Sequence, residues 1–200
     1  MDQPLAAGFT DAVLESQEAF RHLLDALSHP GRIERLGGAL TPPPGLTPAG
    51  AALLLTLADY ETPLWLAPGL GAPVADWLRF HTAAPLAQQP AEARFAVLTG
   101  APGEPELAAF PAGDDLYPDR SATVILQCAG LEGGRPVTLA GPGIPDTRQI
   151  APAGLPAGFW RQLALNNRQY PRGVDVVLAA GSSIIGLPRS LRLETAQGAL

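Results

Sequence analysis

Two stretches of this chain are apolar almost from end to end: residues 123–129 (TVILQCA) and residues 174–180 (VDVVLAA). A strand with one face in water alternates polar and apolar side chains. A strand without that alternation has to be covered on both faces. Runs of this length suit strands rather than buried helices. The chain is therefore expected to build an α/β fold in which a sheet lies between helices, a three-layer sandwich.

The helices are legible from apolar spacing. FTDAVLESQEAFRHLLDALSHPG carries Val13, Leu14, Phe20, Leu23, Leu24 and Leu27 near a helical period. Thr10 is the expected N-cap, with Phe9 and Leu14 as a hydrophobic staple, and Pro30-Gly31 as the stop. Thr47-Pro48 opens a second helix that is apolar nearly all round and so buried. APVADWLRFHT predicts a third, with Val74, Trp77, Leu78 and His81 on one face. LPAGFWRQLALNNRQYP predicts a fourth, built on Phe159, Leu163 and Leu165, and PGEPELAAF a short one. TPLWLA and RFAVLT read as short strands. Two hairpins are expected: TVILQCA with PVTLAG across GLEGGR, and VDVVLAA with SIIGLP across Gly181-Ser182. Antiparallel hairpins beside buried strands make the sheet mixed. Gly and Pro number 22 each, which fits many turns, and no internal repeat or domain boundary appears, so residues 1–200 read as one domain.

Composition excludes more chemistry than it suggests. The net charge of -6 argues against a nucleic-acid or anionic-membrane partner. All 13 basic residues are arginine, so no Schiff-base lysine exists and pyridoxal phosphate cannot be held as an aldimine. The single Cys128 forms no intrachain disulfide. His22, His29 and His81 have no metal-ligand spacing. No cofactor and no metal are expected. The N-terminal stretch MDQPLAAGFTDAV has no basic region followed by an apolar run, and no stretch is apolar over the length that a membrane crossing needs. A cytoplasmic location is expected.

The sequence VTLAGPGIPDTRQIAP raises the question of a phosphate loop. A P-loop needs a lysine, and a dinucleotide fingerprint would need glycine where Asp146 stands. Pro142 and Pro145 also lack the N–H groups that cradle phosphate. A structural turn is expected, with Arg148 beside it. Cys128 reads as an inert thiol inside a strand and His81 as a core histidine. Arg79 is spaced to pair with Asp76, and Asp114-Asp115 reads as solvated. No catalytic residues emerge from motifs.

Five stretches in order, AFRHLLDALSHPGRI, LLLTLADYETPLWL, LRFHTAAPLAQQPAEARFAVLTG, ATVILQCAGLEGGRPVTLAGPGI and YPRGVDVVLAAGSSIIGLPRS, resemble the PhnH family of the bacterial carbon–phosphorus lyase system for phosphonate breakdown. The resemblance runs from about residue 17 to 194; Ser190 stands where threonine is usual, and residues 41–48 look variable. It implies a fold similar to the large domain of pyridoxal-phosphate transferases, without the cofactor. It implies a homodimer, for which the apolar stretches around Trp65 and Trp77 offer a surface. It implies a core complex with the subunits PhnG, PhnI and PhnJ that handles ribose-linked methylphosphonate intermediates and breaks a C–P bond by radical chemistry. One cysteine cannot hold an iron–sulfur cluster, so that cleavage belongs to a partner. A non-catalytic, assembly-supporting subunit is expected. The alternative is a subunit with its own anion pocket, whose first ligands would be Arg79, His81, Arg148 and Arg189.

Overall fold

The computed structural model describes residues 5–194. The first helix, α1 (Ala12–Ser28), starts one residue later than Thr10 would place it. Asp11 is the N-cap, and its carboxylate accepts the N–H groups of Val13 (3.1 Å) and Leu14 (3.0 Å). Glu15 reaches back to the Asp11 N–H at 2.7 Å. Carboxylates at a helix start complement its positive end, an advantage that a threonine lacks. With the cap moved on, the Phe9–Leu14 staple does not form, and Leu14 is exposed. The buried face of α1 is Ala19, Leu23 and Ala26. Val13, Phe20 and Leu24 of the expected apolar face point to solvent.

The chain continues through β1 (Ile33–Arg35), α2 (Pro48–Leu57), β2 (Leu64–Leu66), α3 (Gly71–Thr82), β3 (Phe95–Leu98) and β4 (Thr123–Gln127). It then runs through β5 (Val137–Ala140), β6 (Arg148–Ile150), α4 (Phe159–Asn167), β7 (Asp175–Ala180), β8 (Ser183–Leu187) and β9 (Arg192–Glu194). Thr47 caps α2 and Pro48 occupies its first turn, as the sequence suggests, and residues 49–54 are all buried. Where PGEPELAAF predicts a helix, only a 3-10 turn forms at Leu107–Ala109. Pro102 and Pro105 leave the preceding backbone without two of the N–H groups a longer helix would use.

Six strands form a mixed sheet in the order β1-β8-β7-β4-β3-β2. β2, β3, β4 and β7 are mutually parallel, and β8 runs antiparallel to both of its neighbours, β7 and β1. The two apolar runs that open the sequence reading are the central pair, β4 and β7. Val124, Ile125, Leu126, Val176, Val177 and Leu178 are buried on both faces, each stabilising the fold by roughly 1.5–3 kcal/mol. On one side α1 lies on β8 and α2, and α2 contacts β7.

The β7–β8 hairpin forms as expected, with Ala180 opposite Ser183 and Gly181 at φ +54° in a two-residue turn. The other expected hairpin does not form. Both edges of β4 are taken by parallel β3 and β7, so β5 has no place beside it. Instead β5 centres a separate antiparallel sheet, β6-β5-β9. The half-buried β5 suits such an outer sheet, whereas β7 needs cover on both faces.

Three further residues fall differently from expectation. Leu165 is half exposed, because it lies about 200° around α4 from Leu163. Trp65 and Trp77 are not surface residues: Trp65 packs edge-on against Phe110, and Trp77 is completely buried. The two indoles are core and offer no dimer surface themselves, whereas Phe80, on α3 beside Trp77, is exposed. No helix among the described residues is long and apolar enough to cross a membrane.

Candidate functional site

The glycine loop opens no phosphate cradle. Residues 141–147 join β5 to β6 as a hairpin, and the loop is pressed onto the end of α1. A side chain at Gly143, where φ is +81°, would sit 1.9 Å from the Ser28 carbonyl oxygen. Arg148 donates to the carbonyls of His29 (3.2 Å) and Pro30 (2.9 Å). Its guanidinium latches this hairpin to the helix terminus.

The other named candidates are likewise engaged with the protein. Arg189 donates to the Pro118 carbonyl, the Ser121 hydroxyl and the Gly173 carbonyl, and lies 3.4 Å from the Asp175 carboxylate. Arg79 pairs with Asp76 at 2.9 Å, both well exposed, a contact worth little to stability. His81 Nε2 donates to the Ala6 carbonyl at 3.1 Å, where the Trp77 indole N–H also donates at 2.7 Å. Its ring packs tilted against Trp77 and edge-on to Phe80, and Gly8 lies against it. No two of Arg79, His81, Arg148 and Arg189 share a partner. His81→Ala is expected to cost about 1–3 kcal/mol in urea unfolding by removing one of the two α3 donors that hold the Ala6 carbonyl. A cost below about 0.5 kcal/mol would mark the residue as a surface group.

Cys128 is half-buried, with its thiol 3.5 Å from the Gly130 carbonyl. Burial pushes its pKa up, only partly offset by that hydrogen bond. A thiol of that kind is a poor nucleophile. Iodoacetamide near neutral pH is expected to label the native protein slowly and the urea-unfolded chain fast; equal rates would contradict this. Asp114 accepts the N–H groups of Leu116 and Tyr117, and Asp115 pairs with Arg172 at 3.3 Å. Among the described residues no three His, Cys, Asp or Glu side chains cluster to hold a metal.

Two concavities of ligand size border the edge strand β1 and the β7–β8 turn. One lobe, about 550 Å³, is walled by Glu15, Glu18 and His22 of α1, the loop of residues 36–39 and Ser182. A second, about 440 Å³, is walled by Ile33, Leu131, Glu132 and Gly181. Arg35 and Ser183 belong to both. His22 Nδ1 is 3.1 Å from the carboxylate of Glu34, whose other oxygen is 3.1 Å from the Arg32 guanidinium. Glu34 is mostly buried, and this bridge pins α1 to β1. The spacing of Glu15, Glu18 and His22 along one helix flank is visible in the sequence. Arg35 carries no such signal, because β1 is three residues long and its pairing with β8 is a long-range event.

Comparison with known proteins turns these elements into a family. The model of the bacterial phosphonate metabolism protein PhnH matches residues 7–194. The chain belongs to the PhnH family. It is 42% identical over 193 residues to the PhnH subunit of alpha-D-ribose 1-methylphosphonate 5-triphosphate synthase of Rhizobium meliloti, covering 96% of each chain. It is 32% identical over 179 residues to HtxG of Stutzerimonas stutzeri, named provisionally as a C-P lyase subunit protein, covering 88% of this chain and 85% of that one. In this PhnH-family member both the pressed-down glycine hairpin and the crevice lie inside the matched span.

Proposed function

We propose that this protein is the PhnH subunit of a carbon–phosphorus lyase core assembly, with a supporting and non-catalytic role in phosphonate catabolism. The observation that carries the reading is 42% identity, over 96% of each chain, with a subunit of the ribose 1-methylphosphonate 5-triphosphate synthase. Its chemistry agrees. The chain has no lysine for a P-loop and one half-buried cysteine, too few for a radical-generating cluster. The partners on this reading are a second copy and the subunits PhnG, PhnI and PhnJ, in the cytoplasm, without nucleic acid or membrane. The reading treats the chain as a single domain, supported by one continuous buried cluster that draws on both sheets. It also takes the fold as a three-layer relative of the pyridoxal-phosphate transferase large domain.

The residues do not fit that family's cofactor, since an internal aldimine needs a lysine and there is none. Borohydride treatment in the presence of pyridoxal phosphate is expected to leave no reduced adduct on a side chain; a stoichiometric adduct would overturn this part. The homodimer, if symmetric, draws on surfaces other than Trp65 and Trp77, such as the exposed flank of α1 carrying Val13, Phe20 and Leu24. Sedimentation of the purified chain at micromolar concentration tests it, with a dimer expected. The alternative, a subunit with its own anion pocket, would need residues other than Arg79, His81, Arg148 and Arg189 as its ligands.

A further inference from the structure

We propose that the platform formed by residues 112–120 and 168–173 docks an acidic surface of a partner protein, with Leu116 as its apolar anchor and Arg168 at its rim. This names a docking face for the assembly role proposed above and rests on that reading. The two segments are braced into one unit. Asp114 accepts the N–H groups of Leu116 (2.8 Å) and Tyr117 (2.7 Å). The loop closes so tightly that a Cβ at Gly113 would lie 2.8 Å from the Pro118 carbonyl oxygen. The Gly173 N–H donates to the Ala112 carbonyl at 2.8 Å, and Arg172 pairs with Asp115 at 3.3 Å. One nitrogen of Arg189 holds both the Pro118 and Gly173 carbonyls. The Arg120 guanidinium covers the Tyr117 ring, 3.9 Å from its centroid.

This braced backbone turns apolar groups to water: Leu116 is 84% exposed, Tyr170 63% and Tyr117 47%. A lone exposed leucine is ordinary. Here it stands beside two tyrosines and several arginines, the residue types that dominate binding hot spots, and a loop already fixed gives up little freedom on docking. The charges select the partner. Residues 159–173 carry Arg161, Arg168 and Arg172 and no carboxylate, in a chain of net charge -6. Arg168 forms no ion pair among the described residues. On the loop side, Asp114 is held by two N–H groups and Asp115 by Arg172, which leaves Asp119 as the loop's remaining carboxylate. The complement of the helix side is a surface rich in Asp and Glu. A second copy would set these arginines against the same platform, where Asp119 alone is left to answer them. A small metabolite fits no better. The hollow beside Arg161 and Leu165 measures about 60 Å³, far below the roughly 300–1,000 Å³ of small-molecule pockets.

The test is calorimetric titration of the purified PhnG, PhnI and PhnJ core subunits with the full chain and with three single variants. Leu116→Ser and Arg168→Glu are each expected to weaken binding about tenfold or more. Tyr60→Ser, at an exposed aromatic in the loop before β2, is expected to leave it unchanged. All three positions are exposed, so thermal unfolding is expected to stay within about a degree or two of the parent. Raising the salt from about 0.05 to about 0.5 M is expected to weaken the parent, and to weaken Arg168→Glu less. Sedimentation of each variant by itself is expected to match the parent. Parent-like binding by Leu116→Ser overturns the docking face, and parent-like binding by Arg168→Glu overturns the acidic partner; both leave the assembly role standing. No binding by the parent chain overturns the assembly reading and the proposal with it. A variant whose self-association is lost shows that a second copy covers the platform, and overturns the proposal.

Discussion

Arg189→Ala is expected to destabilise the protein by about 2–4 kcal/mol in denaturant unfolding. One guanidinium nitrogen holds the Pro118 carbonyl, the Ser121 hydroxyl and the Gly173 carbonyl together, and another faces Asp175. Four segments thus meet at one side chain: the loop before β4, the loop before β7, the first residue of β7 and the stretch after β8. Removing it leaves Asp175, with its side chain 21% exposed, without its counter-charge and holding only the backbone N–H of residue 189, and takes the guanidinium donor from the Pro118 and Gly173 carbonyls. The penalty for breaking a fully buried pair is about 3–5 kcal/mol, and the partial exposure lowers it. For a domain stable by about 5–15 kcal/mol that is a large fraction. Were Arg189 instead a solvent-facing ligand of phosphonate, the same substitution would leave the unfolding midpoint within a degree or two and abolish an anion site.

Gly186→Ala is expected to cost about 3 kcal/mol, at the upper end of the range for overpacking. α1 crosses β8 so closely that a Cβ at this glycine would lie 2.4 Å from the Ala26 carbonyl oxygen and 2.8 Å from the Leu27 N–H nitrogen. Both are backbone atoms, which no rotamer change can move. Accommodating a methyl group means lifting α1, and with it His22 and the bridge to Glu34. The variant is therefore expected to lower the melting temperature and loosen the crevice together. A variant that melts like the parent would show that the helix does not lie on the strand at this distance.

These two glycine- and arginine-centred contacts mark where sequence reading stops. The central strands were legible because burial on both faces removes polar residues from Val124–Leu126 and Val176–Leu178, a local signature of a global position. α2 was legible for the same reason, and the β7–β8 turn because Gly181 has the required positive φ. The partner of β4 was not legible. Pairing with β3 and β7 rather than β5 depends on which strand can cover both of its edges, and no property of the GLEGGR turn states that. The apolar run predicts a buried thiol inside a strand at Cys128, but β4 ends one residue earlier and the thiol is half-buried, which still pushes its pKa up. His81 reads as a core group in the sequence, but it is half-buried at the end of α3, and its partner, the Ala6 carbonyl, lies 75 residues away in sequence. The arginines were harder. Arg148 and Arg189 look in sequence like free cations beside loops, yet each satisfies carbonyls from distant segments. Arg35, which lines the crevice, stands in a three-residue edge strand with no periodicity to reveal it.

The supporting role is tested most directly by reconstitution. The other core subunits would be purified and supplied with a methylphosphonate substrate, with and without this chain, and formation of the ribose-linked product followed. The chain alone is expected to give no turnover, the partners alone little, and the full assembly the activity. Turnover of substrate by this chain by itself, or full activity in its absence, would contradict the account.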